Sequence, residues 1–168
     1  DVLRPENLQL AWKRVKANKG AAGVDNMEVG EFPAFMEQHG EMVLRKLRAG
    51  SYQPSPVKQC RIPKDNGEYR TLGIPTVLDR VIQQAIAQTL TPFYETQFHE
   101  HSYGYRPNKS AQSAIKKVHE MVQKRRQGCH VVDCDLKAFF DTVDHQKLMN
   151  KLRESVVDRA LLGLVLKY

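Results

Sequence analysis

Residues 57–74 restrict the possible folds more than any other segment, because they contain a turn between two strand-like stretches. Val57–Lys64 and Glu68–Ile74 are rich in strand-forming residues, and Asp65-Asn66-Gly67 separates them. This pattern predicts an antiparallel hairpin.

The length of the loop decides which side chains share a face of the hairpin, because side chains alternate along a strand. A three-residue loop closed by Gly67 in the left-handed conformation would place Ile62 opposite Arg70 and Lys64 opposite Glu68. Lys64 and Arg70 would then point the same way, whereas a two-residue loop would separate them.

Apolar residues at three- and four-residue spacing predict helices around this hairpin. Helices are expected over 5–18, 31–48 and 76–90, and Thr91-Pro92 is expected to restart a short helix after the third. A further helix is expected to begin after the cap Ser110 and to carry a buried apolar stripe. Two more are expected, one over 145–152 and one that begins with a Ser155–Asp158 capping box. The stripe consists of Ala111, Ala114, Ile115, Val118, Met121 and Val122. Cys129–Leu136 is predicted to be a short strand, so the fold class is α+β with a small sheet.

The composition narrows the class of protein. Lys and Arg number 26 against 19 Asp and Glu in 168 residues, a net charge of +7 that favours an anionic partner. No apolar run approaches the roughly 18 residues of a membrane span, so a soluble intracellular chain is expected. The three cysteines lack metal-ligand or disulfide spacing, and reduced core thiols are expected. The first and last residues suggest a piece of a longer protein.

Four aspartates lie within twelve positions, two in the predicted strand and two after it: Asp133, Asp135, Asp141 and Asp144. Oxygen ligands in such a group favour Mg²⁺ over zinc. Asp141 and Asp144 are interpreted as helix caps and Asp133 as a solvent-facing edge residue, whereas Asp135 is interpreted as functional. Lys64 and Arg70 could neutralise a triphosphate, or could form an ordinary solvated strand face.

Three ordered motifs give the chain a family resemblance. They are IPKDNGEYRTLGIPTVLDRVIQQA (residues 62–85), HSYGYRPNKSAQSAI (101–115) and VVDCDLKAFFDTVDH (131–145). Together they resemble the group II intron reverse transcriptases, also called intron-encoded maturases, over about Asn7–Arg153. The resemblance implies a right-hand polymerase, with fingers over 1–110, an incomplete palm over 111–168, and a small antiparallel sheet packed with helices.

The resemblance assigns roles in the palm. Asp135 would be the first metal-binding aspartate and the Leu136 backbone carbonyl would complete its ligand set. Ala138 and Phe139 would offer backbone N–H groups to the nucleotide, and Phe140 would exclude a ribose 2′-hydroxyl. The structural alternative for Phe139 and Phe140 is packing in the core, and one of the two is expected to be buried there.

The resemblance also assigns roles in the fingers. Lys64 and Arg70 would bind the triphosphate. The segment Gly73, Ile74 and Pro75 would lie against the templating base, and the basic residues Arg80, Arg106 and Lys109 would contact template RNA. Each of these three basic residues could equally be a salt-bridge partner.

The implied activity is RNA-directed DNA polymerisation with Mg²⁺, combined with a maturase role. The implied partners are intron RNA, an RNA template, a DNA primer or target, a deoxynucleotide and a second copy of the chain, in the cytoplasm or an organellar nucleoid, without membrane. The second carboxylate pair of the family is absent, so this piece alone is expected to be inactive. The alternatives are a non-enzymatic RNA-binding splicing cofactor, and a retron or CRISPR-associated reverse transcriptase.

Overall fold

The computed structural model describes residues 1–63, 65, 67–124, 128, 130–136 and 138–168. It confirms the α+β class. The helices are α1 (Pro5–Asn18), α2 (Phe32–Arg48), α3 (Val77–Glu95), α4 (Ala111–Gln123), α5 (His145–Arg153) and α6 (Arg159–Val165), and the strands are β1 (Lys58–Pro63) and β2 (Tyr69–Ile74). Short 3₁₀ turns occupy Val29–Glu31 and Phe140–Thr142.

The β1–β2 hairpin has the register of a three-residue loop, one of the two alternatives that the sequence left open. The strands are antiparallel and Ile62 pairs with Arg70. Gly67 has a φ of 82°, the left-handed conformation that glycine adopts without steric cost. Lys64 lies outside the described residues, so its shared face with Arg70 stays a prediction.

The chain forms two compact units, one comprising 1–89 with 144–168 and the other 90–143. The first unit has an apolar core drawn mainly from α1, α2 and α3. Its buried side chains include Ala11, Val15, Phe32, Val43, Leu47, Val77, Val81, Ile82, Ala85, Ile86, Met149 and Leu162. The Trp12 and Phe32 rings pack with centroids 4.7 Å apart. Spaced apolar positions on these helices therefore have the role expected of an amphipathic stripe.

Helix α4 of the second unit forms as predicted, but its apolar stripe is not buried. Ser110 caps it by accepting a hydrogen bond from the Ser113 backbone N–H at 3.1 Å. Ile115 is nevertheless 70% exposed and Val118 55% exposed. The hydrogen bonds and the cap of a helix are local, whereas burial needs a facing element, and no described part of this unit covers the stripe.

The strand predicted over Cys129–Leu136 is absent from its described residues. Residues 130–136 have no regular secondary structure, and Val131 and Val132 are exposed. A strand requires a neighbour for its backbone hydrogen bonds. Within the described ranges, the one sheet is the pair β1 and β2.

Helix ends differ from prediction in two places. Helix α3 continues through Pro92 to Glu95 without restarting, because a proline in the last turn removes only one hydrogen bond near the end. Helix α6 is capped by Asp158, whose carboxylate accepts from the N–H groups of Ala160 and Leu161, and not by Ser155.

The prediction of buried core thiols is wrong for the two cysteines that the structure describes. Cys60 and Cys134 are not joined to another cysteine, and both are exposed. Cys60 lies on a two-stranded ribbon whose faces are both open to solvent, and Cys134 lies in the irregular 130–136 segment. Cys129 is outside the described residues.

Candidate functional site

The hairpin presents Arg70 to solvent. Arg70 lies within β2, and nearly every residue of both strands is exposed. Gly73 pairs with Gln59, and a Cβ at Gly73 would lie 3.0 Å from Val57 Cγ2. The close approach that requires a small residue at this position is therefore made by Val57. Ile74 and Pro75, which follow it, are half-buried.

The base of the hairpin contains a buried carboxylate. Asp79, in the first turn of α3, is 1% exposed. Its Oδ2 accepts from Thr76 Oγ1 at 2.7 Å and from the Ser55 backbone N–H at 3.0 Å, and its Oδ1 accepts from the hydroxyls of Tyr52 at 2.8 Å and Tyr168 at 2.9 Å. Four donors meet one carboxylate, which satisfies the acceptor-only inventory of an ionised aspartate.

The two tyrosines beside Asp79 are held in their protonated, donating form. Burial raises the pKa of the Tyr52 hydroxyl, and the hydrogen bond and negative charge of Asp79 raise it further. Burial likewise raises the pKa of the Tyr168 hydroxyl, followed by the charge of Asp79. Both hydroxyls therefore remain hydrogen-bond donors far above neutral pH.

Arg80 connects α3 to the glycine-rich loop at 18–25. Its Nη2 donates to the Ala21 carbonyl at 2.8 Å, and a Cβ added at Gly20 would lie 2.5 Å from its Nη1. A Cβ at Gly23 would lie 2.7 Å from the Thr76 Cα. The loop is thus packed against the start of α3 at two glycines.

Arg106 is engaged almost entirely within the protein. Its Nε and Nη2 donate to the Glu95 carboxylate, the shortest contact being 2.7 Å. Its Nη1 donates to the His99 and Ser102 carbonyls at 2.7 and 2.8 Å. The guanidinium also lies over the Phe98 ring, 5.3 Å from its centroid. Hydrogen bonds from Arg106 hold the pKa of the Glu95 carboxyl below its usual range.

The Lys109 side chain also contacts other residues of the protein. Its Nζ donates to the Glu100 carbonyl at 3.0 Å and lies 4.8 Å from the Tyr103 ring centroid. Arg106 forms the salt bridge that the sequence offered as its alternative role, whereas the hydrogen bonds described for Arg80 and Lys109 go to backbone carbonyls. A contact between these residues and RNA stays a prediction.

Asp135 and Leu136 are exposed in the irregular segment before the Phe140–Thr142 turn. Ala138 has a φ of 51°, an uncommon conformation for a residue other than glycine. Its carbonyl accepts from the Asp141 N–H and from Thr142 Oγ1, both at 3.1 Å. These hydrogen bonds close the short turn over residues 138–142.

The Phe139 and Phe140 rings meet edge to face with centroids 5.5 Å apart. Phe139 is half exposed and Phe140 is 81% exposed. The expectation that one of them is buried is therefore wrong. As with α4, no described element of the 90–143 unit covers them.

The carboxylates near Asp135 do not gather into a metal-binding cluster. Asp144 caps α5 as predicted by accepting from the Lys147 N–H at 3.0 Å. Asp141 lies inside the 3₁₀ turn and is not an N-cap. Among the residues that the structure describes, no group of three or more His, Cys, Asp or Glu side chains could hold a metal ion. The Asp135 carboxylate and the Leu136 carbonyl are hard oxygen donors of the kind that fits Mg²⁺, which binds proteins through one or two carboxylates.

The candidate residues fall in both units. Arg70, Gly73, Ile74, Pro75 and Arg80 belong to the first unit, and Arg106, Lys109, Asp135, Leu136, Ala138, Phe139 and Phe140 belong to the second. Sequence reasoning did not identify Asp79. Its signal was Thr76 followed three residues later by an acid before an apolar run, which is typical of a helix cap.

No helix within the described ranges combines the length and the apolar character needed to cross a membrane.

Comparisons with known proteins agree with the motifs. The family described as "Reverse transcriptase (RNA-dependent DNA polymerase)" matches residues 62–167. The chain is 35% identical over 170 residues to Protein YkfC of Escherichia coli strain K12, a match covering 99% of this chain and 45% of that protein. It is 31% identical over 168 residues to the Group II intron-encoded protein LtrA of Lactococcus lactis subsp. cremoris, covering 99% of this chain and 27% of that protein.

A more distant relative is the Putative COX1/OXI3 intron 1 protein of Saccharomyces cerevisiae, with 29% identity over 164 residues that cover 95% of this chain and 19% of that protein. The chain thus spans less than half the length of these relatives. With the family match covering most of its residues, the chain belongs to the reverse transcriptase (RNA-dependent DNA polymerase) family, in the group that includes the group II intron-encoded proteins.

Proposed function

We propose that the protein containing this chain is an RNA-directed DNA polymerase of a group II intron, with a maturase role in splicing and mobility of that intron. The observation that carries the proposal is the family match over residues 62–167. Every residue expected to bind nucleotide, metal or template lies within that range. The substrates of the proposed polymerase would be a deoxynucleotide, a DNA primer or target and an RNA template.

The proposed reaction is attack of a primer 3′-hydroxyl on the α-phosphate of the deoxynucleotide, with release of pyrophosphate. Asp135 and the Leu136 carbonyl would hold Mg²⁺, which when bound neutralises charge on the reacting phosphate oxygens. Lys64 and Arg70 would bind the β- and γ-phosphates. The exposure of Asp135 and Arg70 supports these roles, because both side chains are available to a ligand.

The remaining nucleotide contacts would come from the turn after Asp135. Ala138 and Phe139 would donate backbone N–H groups to the triphosphate, and the Phe140 ring would exclude a 2′-hydroxyl by its bulk. The exposure of the Phe140 ring supports this role, since a buried ring could not contact a sugar.

Template contacts are proposed for the finger residues. Gly73, Ile74 and Pro75 would lie against the templating base, and Arg80, Arg106 and Lys109 would face the RNA strand. The net charge of +7 supports binding to a polyanion. The proposed division into fingers over 1–110 and a partial palm over 111–168 is that of a right-hand polymerase.

The 168-residue chain by itself is proposed to be inactive. It contains no Ala-Asp-Asp sequence, so the second carboxylate pair of the family is missing from it. We also propose that the whole protein acts in the cytoplasm or an organellar nucleoid and that this piece is able to dimerise.

The decisive experiment compares two aspartates in the full-length protein. Asp135→Ala should abolish primer extension on an RNA template while RNA affinity stays within about twofold of wild type. The matched control is Asp133→Ala, which removes an exposed carboxylate two residues earlier and should retain extension. Retained extension by Asp135→Ala would refute the metal-ligand role.

A second candidate function is assistance of intron splicing without polymerisation. It is favoured by similarity to the Nuclear intron maturase 1, mitochondrial of Arabidopsis thaliana, which is 30% identical over 91 residues, 54% of this chain and 12% of that protein. Charge reversals on the finger surface that stop splicing, together with an Asp135→Ala variant that supports it, would separate this role from polymerisation.

A further inference from the structure

We propose that Asp79 is a positioning residue, which fixes both ends of the β1–β2 hairpin and so determines where Arg70 meets the triphosphate. The consequence for catalysis rests on the proposed function. The geometry of the clamp rests only on contacts within the first unit.

One oxygen of Asp79 joins the entry and the exit of the hairpin. Oδ2 accepts from the Ser55 N–H at 3.0 Å and from Thr76 Oγ1 at 2.7 Å. Ser55 lies three residues before β1, and Thr76 lies two residues after β2. The carboxylate therefore holds together the two points at which the hairpin leaves the body of this unit.

The other oxygen anchors the segment that leads into the hairpin. Oδ1 accepts from the hydroxyls of Tyr52 and Tyr168. The neighbouring Lys167 Nζ donates to the carbonyls of Gly50 and Tyr52, both at 2.8 Å. Segment 50–55 is thus held from one side by α3 and from the other by the residues that follow α6.

The hairpin depends on this base because core packing does not orient it. Both of its faces are exposed along nearly the whole ladder. Arg70 is six residues from Thr76, about 20 Å along an extended strand, so a rotation of about 5° at the base moves Arg70 by about 2 Å. Displacing Arg70 from the phosphates that it would bind weakens binding of the deoxynucleotide, which is measured as a raised KM.

A local clamp and a purely global stabiliser predict different patterns of hydrogen exchange in the 168-residue chain. In Asp79→Asn, which turns an acceptor into a donor facing other donors, exchange of the amides of 58–63 and 69–74 should be accelerated about tenfold more than exchange of the amides of α1 and α2, which report the loss of stability of the whole unit. The control Glu37→Gln removes an exposed carboxylate from α2 and should change neither set.

A gentler pair of variants covers the case in which Asp79→Asn does not fold. Thr76→Val keeps the shape of the side chain and removes its hydroxyl, whereas Thr76→Ser keeps the hydroxyl. Faster exchange confined to the hairpin in Thr76→Val, with recovery in Thr76→Ser, supports the clamp. Equal acceleration in α1, α2 and the hairpin, or no acceleration, overturns it.

The catalytic consequence is tested in the full-length protein by steady-state primer extension. Thr76→Val should raise KM for the deoxynucleotide about tenfold with less than about a threefold change in kcat, and Thr76→Ser should restore it. An unchanged KM beside a loosened hairpin overturns the positioning role. A wild-type protein that does not extend primers refutes the proposed function instead, while the exchange experiment still decides the clamp.

Discussion

Asp79 at the start of α3 and Asp135 in the 130–136 segment both lie next to apolar residues, but their carboxylates are in opposite environments. Asp79 is buried and accepts four hydrogen bonds, whereas Asp135 is exposed. A buried carboxylate must satisfy its oxygens inside the protein. An exposed one remains available to a ligand. The comparison therefore distinguishes an aspartate whose oxygens are hydrogen-bonded within the fold from one whose side chain is open to solvent.

The same contrast extends to the apolar residues around each aspartate. Val77, Val81 and Ile82 beside Asp79 are buried, while Val131, Val132 and Leu136 beside Asp135 are exposed. Hydrophobicity alone therefore does not decide burial. A side chain is buried only where a second element lies against it, and α1 lies against α3 in the first unit, where the Asn7 side chain donates to the Ala85 carbonyl.

The largest expected difference between the two regions is in stability. Asp79→Ala should lower the free energy of unfolding by about 4 kcal/mol, because it leaves several buried donors without an acceptor. Asp135→Ala should change it by no more than about 0.5 kcal/mol. Urea denaturation followed by circular dichroism measures both, and equal costs would contradict the comparison.

The apolar residues should differ almost as much. Ile82→Ala removes a side chain that is 2% exposed and should cost about 3 kcal/mol. Val118→Ala on α4 should cost less than about 0.5 kcal/mol, since its side chain is already in water. The same denaturation series applies, and a large cost at Val118 would show that the α4 stripe is covered in solution.

A pair of glycines tests the packing of the 18–25 loop on α3. Gly23→Ala places a Cβ against the Thr76 backbone at 2.7 Å, where neither atom can move freely, and should cost about 2 kcal/mol. Gly30→Ala meets no atom within 4 Å and should be close to neutral. Thermal unfolding of the two variants, which add the same methyl group, gives the comparison directly. Similar melting temperatures would show that the loop does not pack there.

The smallest effect is expected in the second unit, where Arg106 pairs with Glu95. The pKa of Glu95 is lowered from its ordinary 4.5, so the pair stabilises the unit fully above that pH. Its contribution is lost as pH falls through the lower pKa of the folded state. Arg106→Gln should therefore speed amide exchange of residues 96–109 at neutral pH, and by a smaller factor once Glu95 is protonated, because the bonds from Arg106 to the His99 and Ser102 carbonyls are lost at either pH. An effect of the same size in strong acid would exclude the ion pair as its cause.

Local patterns were predictable from the sequence where local chemistry decides the outcome. Pro5 begins α1, Gly67 closes the hairpin turn, and Ser110 and Asp144 cap their helices as predicted. The pairing of Ile62 with Arg70 is the one expected for a three-residue loop, whereas the sequence left a two-residue loop open as well. Each of these outcomes depends on residues a few positions apart.

Features that depend on distant partners were missed or mistaken. In the sequence, Thr76 and Asp79 resemble an ordinary helix capping box. The further partners of Asp79, Tyr52 and Tyr168, are remote in sequence, so the buried carboxylate was not predicted. The contacts of Arg106 with Glu95, His99 and Ser102 require the loop to fold back on the end of α3, which composition does not reveal. The strand predicted over 129–136 is absent from its described residues for the same reason, since an apolar stretch of sequence cannot supply a neighbouring strand for its hydrogen bonds. The proposed site residues therefore still depend on the family motifs.

The two exposed thiols can be labelled to measure distances at the candidate site. Cys60 lies on the hairpin that carries Arg70, and Cys134 lies immediately before Asp135. With Cys129 replaced by Ser, maleimide dyes at these native positions would form a donor–acceptor pair, with one dye in each compact unit. Energy transfer between them would report the distance from the hairpin to the Asp135 segment, and its change when nucleotide and RNA are added, without introducing a single new cysteine.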